Sequence, residues 1–121
     1  MSKRTFQESL KSIVDGCDGA VAGIVMGFDG IAVETLCRDK SLDVQTIGME
    51  FSFVLTQVRK AAEILEVGGL EEVAIRAEKL TFVIRVLSDE YFLGLALQPT
   101  GNFGKGRFLL RMALPDLRAQ L

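Results

Sequence analysis

The side chains that could do chemistry in this chain are paired acids, two cysteines and scattered arginines, and there is no histidine. Without histidine, neither a Ser-His nor a Cys-His nucleophile pair can form. The acid pairs Glu71-Glu72 and Asp89-Glu90 fall at a predicted strand start and in a predicted turn. Solvated surface charge is the ordinary explanation for acids in such places, whereas general acid–base catalysis needs a positioned carboxyl group. We therefore predict no catalytic residue and no enzyme.

The glycine-rich run over residues 101–106, Gly-Asn-Phe-Gly-Lys-Gly, resembles a phosphate-binding loop only superficially. It lacks the glycine spacing of a P-loop and the Ser or Thr that follows the lysine, and it leaves an antiparallel strand. Entry into a helix is the preferred interpretation. No nucleotide or other cofactor is predicted.

An arginine could also act on a partner, by supplying an arginine finger to a GTPase. Nothing in the sequence singles out one arginine for this role, and two of the candidates, Arg107 and Arg111, are expected on the solvated side of the last helix. The candidates are Arg38, Arg59, Arg85, Arg107 and Arg111.

The two cysteines, Cys17 and Cys37, lack CxxC spacing and are too few for a disulfide framework. Because histidine is absent as well, we predict no metal site. Cys17 is interpreted as a small apolar residue at the end of a buried helical stripe. Both thiols are expected to be reduced and passive.

Length and charge narrow the class of protein further. The 121 residues predict one domain, 1–121, with a core that needs no metal or disulfide. The 14 basic and 16 acidic residues are interspersed, which predicts neither nucleic-acid nor anionic-lipid binding. No signal peptide and no apolar run of about 18 residues is visible, so no membrane span is predicted and a cytoplasmic location is expected.

The elements that must position any site follow from periodicity, caps and turn residues. Thr5 and Glu8 form a capping box, Asp29-Gly30 predicts a type I′ hairpin turn, and Pro115 is expected to end or kink the last helix. Gly94 and Ala96 are expected to let a helix approach the sheet closely. The predicted order is a helix from Thr5 to Gly16 or Gly19, strands over residues 20–27 and 31–36, a helix over about 43–66 closed by Gly68-Gly69, strands over 72–77, 80–87 and 91–97, and a helix introduced by Asn102 or the neighbouring glycines.

The middle helix is apolar on two opposite sides. One broad stripe can cover a sheet; it consists of Val44, Ile47, Phe51, Val54, Leu55, Val58, Ala62 and Leu65. Met49, Phe53 and Ile64 fall roughly opposite it, among polar residues. A chain with one core needs a second surface to bury a second apolar side, and another protein chain is the expected supplier.

The order helix, two strands, helix, three strands, helix predicts an α+β fold with a five-stranded antiparallel sheet and helices for both faces. The connections between the last three strands are too short for crossovers, which predicts a meander.

This order, the Asp29-Gly30 hairpin, the long middle helix and the closing segment 102–111, Asn-Phe-Gly-Lys-Gly-Arg-Phe-Leu-Leu-Arg, together resemble the Roadblock/dynein light chain family. The resemblance implies that the middle helix covers one face of the sheet and the terminal helices the other. It implies a homodimer or heterodimer with the middle helices side by side, and an edge strand that pairs with its counterpart. The residues of that strand are Glu72, Val73, Ala74, Ile75, Arg76 and Ala77. Proline at Val73 is therefore expected to separate the subunits. Bacterial members of this type often act as non-catalytic regulators or scaffolds of small Ras-like GTPases in gliding motility and cell polarity.

Two function hypotheses follow. The first is a dimeric interaction module that binds a small Ras-like GTPase through Met49, Phe53, Gln57, Lys60 and Ile64; within it, the alternative is that Met49 and Phe53 are consumed by the dimer contact. The second is a small-ligand sensor, which should contain a cavity of several hundred Å³ near Phe82, Val83 and Leu95.

Overall fold

The computed structural model describes residues 4–121, and its elements follow the predicted order. They are α1 (Phe6–Asp15), β1 (Ala20–Gly27), β2 (Ala32–Cys37), α2 (Val44–Ile64), β3 (Glu72–Arg76), β4 (Thr81–Val86), β5 (Tyr91–Leu97) and α3 (Phe103–Arg118).

The five strands form one antiparallel sheet in the order β2-β1-β5-β4-β3. The predicted meander of β3, β4 and β5 is confirmed. The two edges of the sheet are β2 and β3, so the strand around Val73 lies at an edge, as the family resemblance implied.

Each face of the sheet has its own core. Helices α1 and α3 pack on one face, where Leu10, Val25, Leu95 and Leu110 are buried together. Helix α2 covers the other face, where Leu55 packs among the side chains of Ile24, Phe82 and Phe92. The predicted α+β layering is therefore confirmed.

All three helices begin with a side-chain cap. Thr5 and Glu8 make the predicted capping box, Asp43 accepts a hydrogen bond from the Thr46 amide, and Asn102 accepts one from the Lys105 amide. Helix α1 is capped by Gly16, whose φ of −85° is not left-handed. The glycine with a positive φ after this helix is Gly19, at +85°.

The turn between β1 and β2 differs from the predicted type I′ turn. Only Gly30 has a positive φ, +86°, and Asp29 does not. The Gly30 amide donates to the Gly27 carbonyl and the Gly27 amide to the Ile31 carbonyl, both at 2.9 Å. This is a three-residue loop in which one left-handed glycine suffices, and the Asp29 carboxylate accepts from the Ile31 amide at 3.0 Å.

Two residues assigned to the sheet-covering stripe of α2 are in fact exposed. Val54 is 45% exposed and Leu65 is 69% exposed. Their places against the sheet are taken by Gly48 and Ser52, which are buried. The helix ends at Ile64, before the predicted glycines, and the chain leaves it through Glu66 with φ of +55° and Gly68 with φ of +93°.

Helix α3 does not end at Pro115 but continues to Arg118. Leu114 and Leu117 are buried on either side of the proline, so packing against the core holds the last turn in place. The buried side of α3 includes Gly106 and Leu110, whereas Phe108 and Met112 are exposed.

Candidate partner-binding surfaces

The outer face of α2 exposes the residues that the sequence singled out. Phe53 is 62% exposed, Ile64 is 80% exposed and Met49 is 39% exposed. Gln57 and Lys60 lie exposed between them. An aromatic and an aliphatic side chain are thus exposed to solvent on a helix whose opposite side is buried.

Helix α2 is held close to the sheet, so its outer face is a fixed surface. A Cβ atom placed on Gly48 would lie 3.0 Å from the Met26 side chain and 3.3 Å from that of Ile24. The rings of Phe51 and Phe82 stack with centroids 5.4 Å apart. A larger residue at position 48 would have to displace the side chains of Met26 and Ile24 or move the helix away from β1.

The second half of α2 is fixed by Arg59. Its guanidinium lies 4.1 Å above the centroid of the Phe28 ring and donates to the Asp89 carbonyl at 3.0 Å. One side chain therefore ties the helix to the β1–β2 hairpin and to the turn between β4 and β5.

Met49 differs from Phe53 in its surroundings. A Cβ on Gly30 would lie 3.3 Å from Met49 Cγ, so Met49 packs against the hairpin turn. Met49 also lines a depression of about 150 Å³ together with Met26, Ala32 and Thr46. Phe53 is the more exposed of the two, and it is the stronger candidate for an anchor.

The backbone amides of β3 point alternately toward β4 and toward the free edge of the sheet. The Val86 amide donates to the Glu71 carbonyl and the Ala77 amide to the Leu80 carbonyl, both at 2.9 Å. Hydrogen-bonded pairs alternate along an antiparallel ladder, so the amides of Val73 and Ile75 are directed at β4. The amides of residues 72, 74 and 76 are directed away from the sheet.

This direction corrects two expectations about the predicted interface strand. Proline at Val73 would remove a bond of the chain's own β3–β4 ladder, so it would damage the fold rather than separate subunits. Ala77 lies beyond the end of β3, and its amide is used in the turn to β4.

The side chains of β3 also alternate. Val73 and Ile75 face α2 and are only partly buried. Helical spacing places Val54 and Leu65 on the flank of α2 that continues from Phe51, on the side of β4 and β3. We refer to these four partly or fully exposed apolar residues on the β3 side of the α2 face as the β3 shelf. Helical periodicity alone did not predict this surface, because it placed Val54 and Leu65 against the sheet.

On the opposite face of β3, Glu72 makes ion pairs and is not a solvated charge. Its carboxylate lies 2.6 Å from the Arg107 guanidinium and 3.7 Å from that of Arg85, and its side chain is 18% exposed. The hydrogen bond to Glu72 raises the pKa of Arg107 above its ordinary value. Arg107 lies on the solvated side of α3, as predicted, and pairs with Glu72 there.

The structure also separates the arginines that were candidates for an arginine finger. Arg38 pairs with Asp15 at 3.1 Å, and Arg59, Arg85 and Arg107 have the partners described above. Within residues 4–121, Arg111 has no carboxylate partner and lies 5.9 Å from the Phe108 ring centroid.

The surface depressions lie away from the region where a sensor's cavity was expected. The depression under the end of α2, about 460 Å³, is lined by Arg59, Leu70 and Val86 among others. Phe82, Val83 and Leu95 are fully packed in the two cores. Among residues 4–121, no three Cys, Asp or Glu side chains gather where they could hold a metal ion. No helix of this part of the chain is long and apolar enough to cross a membrane.

Both thiols are free. Cys17 is buried, its Sγ donates to the Asn102 carbonyl at 3.3 Å, and burial, with a smaller effect of Asp18, raises the pKa of its thiol. The Sγ of Cys37, which is exposed, donates to the Asp39 carbonyl at 3.0 Å.

A five-stranded antiparallel sheet with one long helix on one face and two terminal helices on the other is the Roadblock fold. A Roadblock/LC7 domain from Streptomyces avermitilis aligns with a TM-score of 0.82 at 11% identity, covering 93% of each chain. MglB from Thermus thermophilus, described as a gliding protein, aligns with a TM-score of 0.83 at 16% identity, covering 93% of this chain and 85% of that one.

One solved structure is far more similar in sequence. MglC from Myxococcus xanthus is 47% identical, with a TM-score of 0.71, over 96% of this chain and 98% of that chain. The chain belongs to the Roadblock/LC7 family. No protein-family model and no curated protein matched the sequence.

Proposed function

We propose that this protein is a non-catalytic, dimeric interaction module that binds a small Ras-like GTPase in the cytoplasm and regulates or scaffolds it in cell polarity or motility. The observation that carries this proposal is the exposed apolar face of α2, with Phe53 at 62% and Ile64 at 80% exposure on a rigidly packed helix. The 47% identity to MglC and the likeness to MglB, named a gliding protein, support the same role.

The β3 edge and the β3 shelf support the proposed dimer. An unpaired edge strand invites pairing with a second chain, and natural proteins usually cover such an edge. Pairing two β3 edges about a two-fold axis would bring the two shelves together, including Val54 and Val73. The two α2 helices would then lie side by side.

The GTPase would dock on the remaining outer face of α2. Phe53 and Ile64 are apolar anchors, and Gln57 and Lys60 supply a polar rim, which is the composition of an interface centre. The β3 shelf offers a separate apolar surface for the dimer contact. This separation favours Phe53 as a partner anchor over the alternative that the dimer consumes it.

The small-ligand sensor is the less supported function. Its predicted pocket region is filled, since Phe82, Val83 and Leu95 are each no more than 1% exposed. A filled interior suits a module that works through its outer surfaces.

The test is binding of purified Ras-like GTPases from the same genome, loaded with GDP or with GppNHp, to the wild type and to the double variant Met49→Ser with Phe53→Ser. We expect the variant to remain dimeric and to lose nucleotide-dependent binding. The matched control is Phe108→Ser, which removes an exposed aromatic ring on the other side of the sheet and should bind normally. Sedimentation equilibrium gives the oligomeric state of each variant.

Two results would contradict the proposal. A double variant that becomes monomeric would show that Met49 and Phe53 belong to the dimer contact. A dimeric double variant with unaltered binding would place the GTPase elsewhere. GTP hydrolysis rates measured on the same samples separate stimulation of the GTPase from simple tethering.

A further inference from the structure

A second charged and aromatic surface lies on the face of the sheet opposite α2, where the first turns of α3 meet β3 and β4. It carries five cations and two phenylalanine rings, and we call it the α3 basic surface. Its members are Arg76, Arg85, Lys105, Arg107, Arg111, Phe103 and Phe108. A positive surface is not expected from composition alone, because the whole chain has a net charge of −2.

Each ring of this surface is flanked by two cations. The Phe103 centroid lies 5.0 Å from the Arg76 guanidinium and 5.6 Å from that of Arg107. The Phe108 centroid lies 5.7 Å from Lys105 Nζ and 5.9 Å from the Arg111 guanidinium. A guanidinium held over a ring keeps its edge N–H groups free for carboxylates.

The described chain supplies too little negative charge for these cations. Glu72 pairs with Arg107 and Arg85, and among residues 4–121 no other acid forms an ion pair with the surface. The Asp18 carbonyl accepts a hydrogen bond from the Asn102 amide at 2.8 Å, and the Asp18 carboxylate forms no ion pair with Lys105. Lys105 and Arg111 are left without a carboxylate in the part of the chain that is described.

The position of the cations on α3 makes the imbalance more costly. The first turn of α3 contains no acidic residue, and Lys105 lies near the positive end of the helix dipole. A cation there is unfavourable, and an anion is favourable. The approach of an external anion is therefore electrostatically favourable at this surface.

The surface also has a groove that can accept a side chain. A depression of about 200 Å³ is lined by Glu72, Arg85, Gly104, Arg107, Phe108 and Arg111. Gly104 contributes no side chain, and the nearest atom to a Cβ placed there is 3.9 Å away. Phe108 lines this groove, and Met112, one helical turn further along α3, is also exposed and extends the apolar area.

We propose that the α3 basic surface binds an acidic segment of a partner protein, with carboxylates at Lys105, Arg107 and Arg111 and an apolar side chain against Phe108 and Met112. A protein segment is favoured over a nucleic acid or a membrane because Glu72 interrupts the cations of the groove. A peptide can place single carboxylates at Lys105 and Arg111 and keep them away from Glu72, whereas a regular series of phosphates cannot avoid it. Nucleic-acid surfaces instead present continuous tracks of cations. This site is independent of the GTPase proposal, since the sheet separates it from α2.

The probe is a fluorescein-labelled synthetic peptide, Glu-Asp-Phe-Glu-Asp-Leu-Glu, with a control peptide in which Gln and Asn replace the acids. Anisotropy is measured with the full-length wild type and with the double variant Lys105→Gln with Arg111→Gln. We expect the acidic peptide to bind, the neutral peptide not to bind, and the variant to lose about tenfold or more in affinity, because charge-assisted contacts are lost. Raising the salt concentration should weaken binding to the wild type more than to the variant.

The control variant is Lys11→Gln with Lys40→Gln, which removes two exposed cations elsewhere and should leave peptide affinity unchanged. Lys105 and Arg111 have no carboxylate partner among residues 4–121, so their replacement should not lower Tm. A peptide that fails to bind at millimolar concentration, or that binds equally to all variants, would overturn the proposal. So would preferential, Arg111-dependent binding of phosphatidylglycerol vesicles or of single-stranded DNA, measured in the same assay.

Discussion

The ring of Phe82 occupies the space that a side chain at position 94 would need. A Cβ atom placed on Gly94 would lie 2.5 Å from Phe82 Cζ, and the ring in turn stacks on Phe51 of α2. The absence of a side chain at position 94 thus allows Phe82 to stack on Phe51, which packs α2 against the sheet. Gly94 was expected to let a helix approach the sheet, whereas it makes room for the Phe82 ring of the neighbouring strand.

We predict that Gly94→Ala lowers the free energy of unfolding by about 1–3 kcal/mol, the usual cost of overpacking a filled core. Urea unfolding at one fixed protein concentration measures the change. The matched control is Gly104→Ala in α3, where the nearest atom to the new methyl group is 3.9 Å away. The control should be neutral or slightly stabilising, because alanine favours helices over glycine. An unchanged unfolding midpoint for Gly94→Ala would show that Phe82 can move freely.

We predict that Ala74→Pro weakens the dimer while the fold remains. The Ala74 amide is directed away from β4, so proline removes a bond only to a neighbouring chain. Val73→Pro is the matched control one residue away, and it should destabilise the fold because its amide belongs to the β3–β4 ladder. Sedimentation equilibrium and circular dichroism together distinguish the two effects. If Ala74→Pro stays fully dimeric with normal spectra, the β3 edge is not the dimer contact.

We predict that Asp43 makes stability depend on acid pH. Its carboxylate accepts from the Thr46 hydroxyl at 2.7 Å and from the Thr46 amide at 3.1 Å, and these bonds lower its pKa below the ordinary 3.8. The stabilisation is present above the unfolded-state pKa and is lost as pH falls through the lowered folded-state pKa. Asp43→Asn should keep the cap and flatten this part of the pH profile, whereas Asp43→Ala should lower Tm at every pH. Identical profiles for the wild type and Asp43→Asn would show that the carboxylate charge contributes nothing.

We predict that thiol reagents modify Cys37 and spare Cys17 in the native protein. Cys17 is buried and the pKa of its thiol is raised, so little reactive thiolate forms. The raised pKa also makes the free energy of unfolding depend on alkaline pH. The contribution of the protonated Cys17 thiol to stability is fully present below the ordinary pKa of 9.0 and is lost as pH rises through the higher folded-state pKa. Iodoacetamide labelling followed by mass spectrometry checks the selectivity. Rapid labelling of Cys17, or a disulfide-linked dimer under thiol trapping, would contradict it.

The sequence predicted the order of elements because its signals are local. The caps formed by Thr5 and Asn102 involve residues only three positions away. The alternation along β5 likewise depends only on neighbouring residues in the sequence. The turn after Gly27 was mispredicted because an Asp-Gly pair fits both a two-residue and a three-residue loop, and the pairing register decides between them.

The surfaces were harder to predict because they depend on contacts between distant elements. Helical spacing places Val54 beside Phe51, but it cannot show that the sheet stops at β3 and leaves Val54 uncovered. Glu72 was interpreted as solvated charge because Arg107 lies 35 positions away. Pro115 was expected to disturb α3, yet burial of Leu117 against the core outweighs the lost backbone bond.

The alternation along β3 has a consequence for which chains can join at this edge. Val73 and Ile75 are apolar on one face, while Glu72 and Arg76 are charged on the other. If two such edges pair antiparallel, α2 of both copies lies on the same face of the joined sheet. Only the amides of residues 72, 74 and 76 face outward, so a slip of one residue would leave these amides opposite residues whose amides point away, and only even shifts keep the hydrogen bonds between the copies. In a cell with several proteins of this fold, the alternation of apolar and charged side chains along the edge strand could therefore select which chains pair. A partner with the opposite alternation would place charged side chains next to the apolar residues of the β3 shelf.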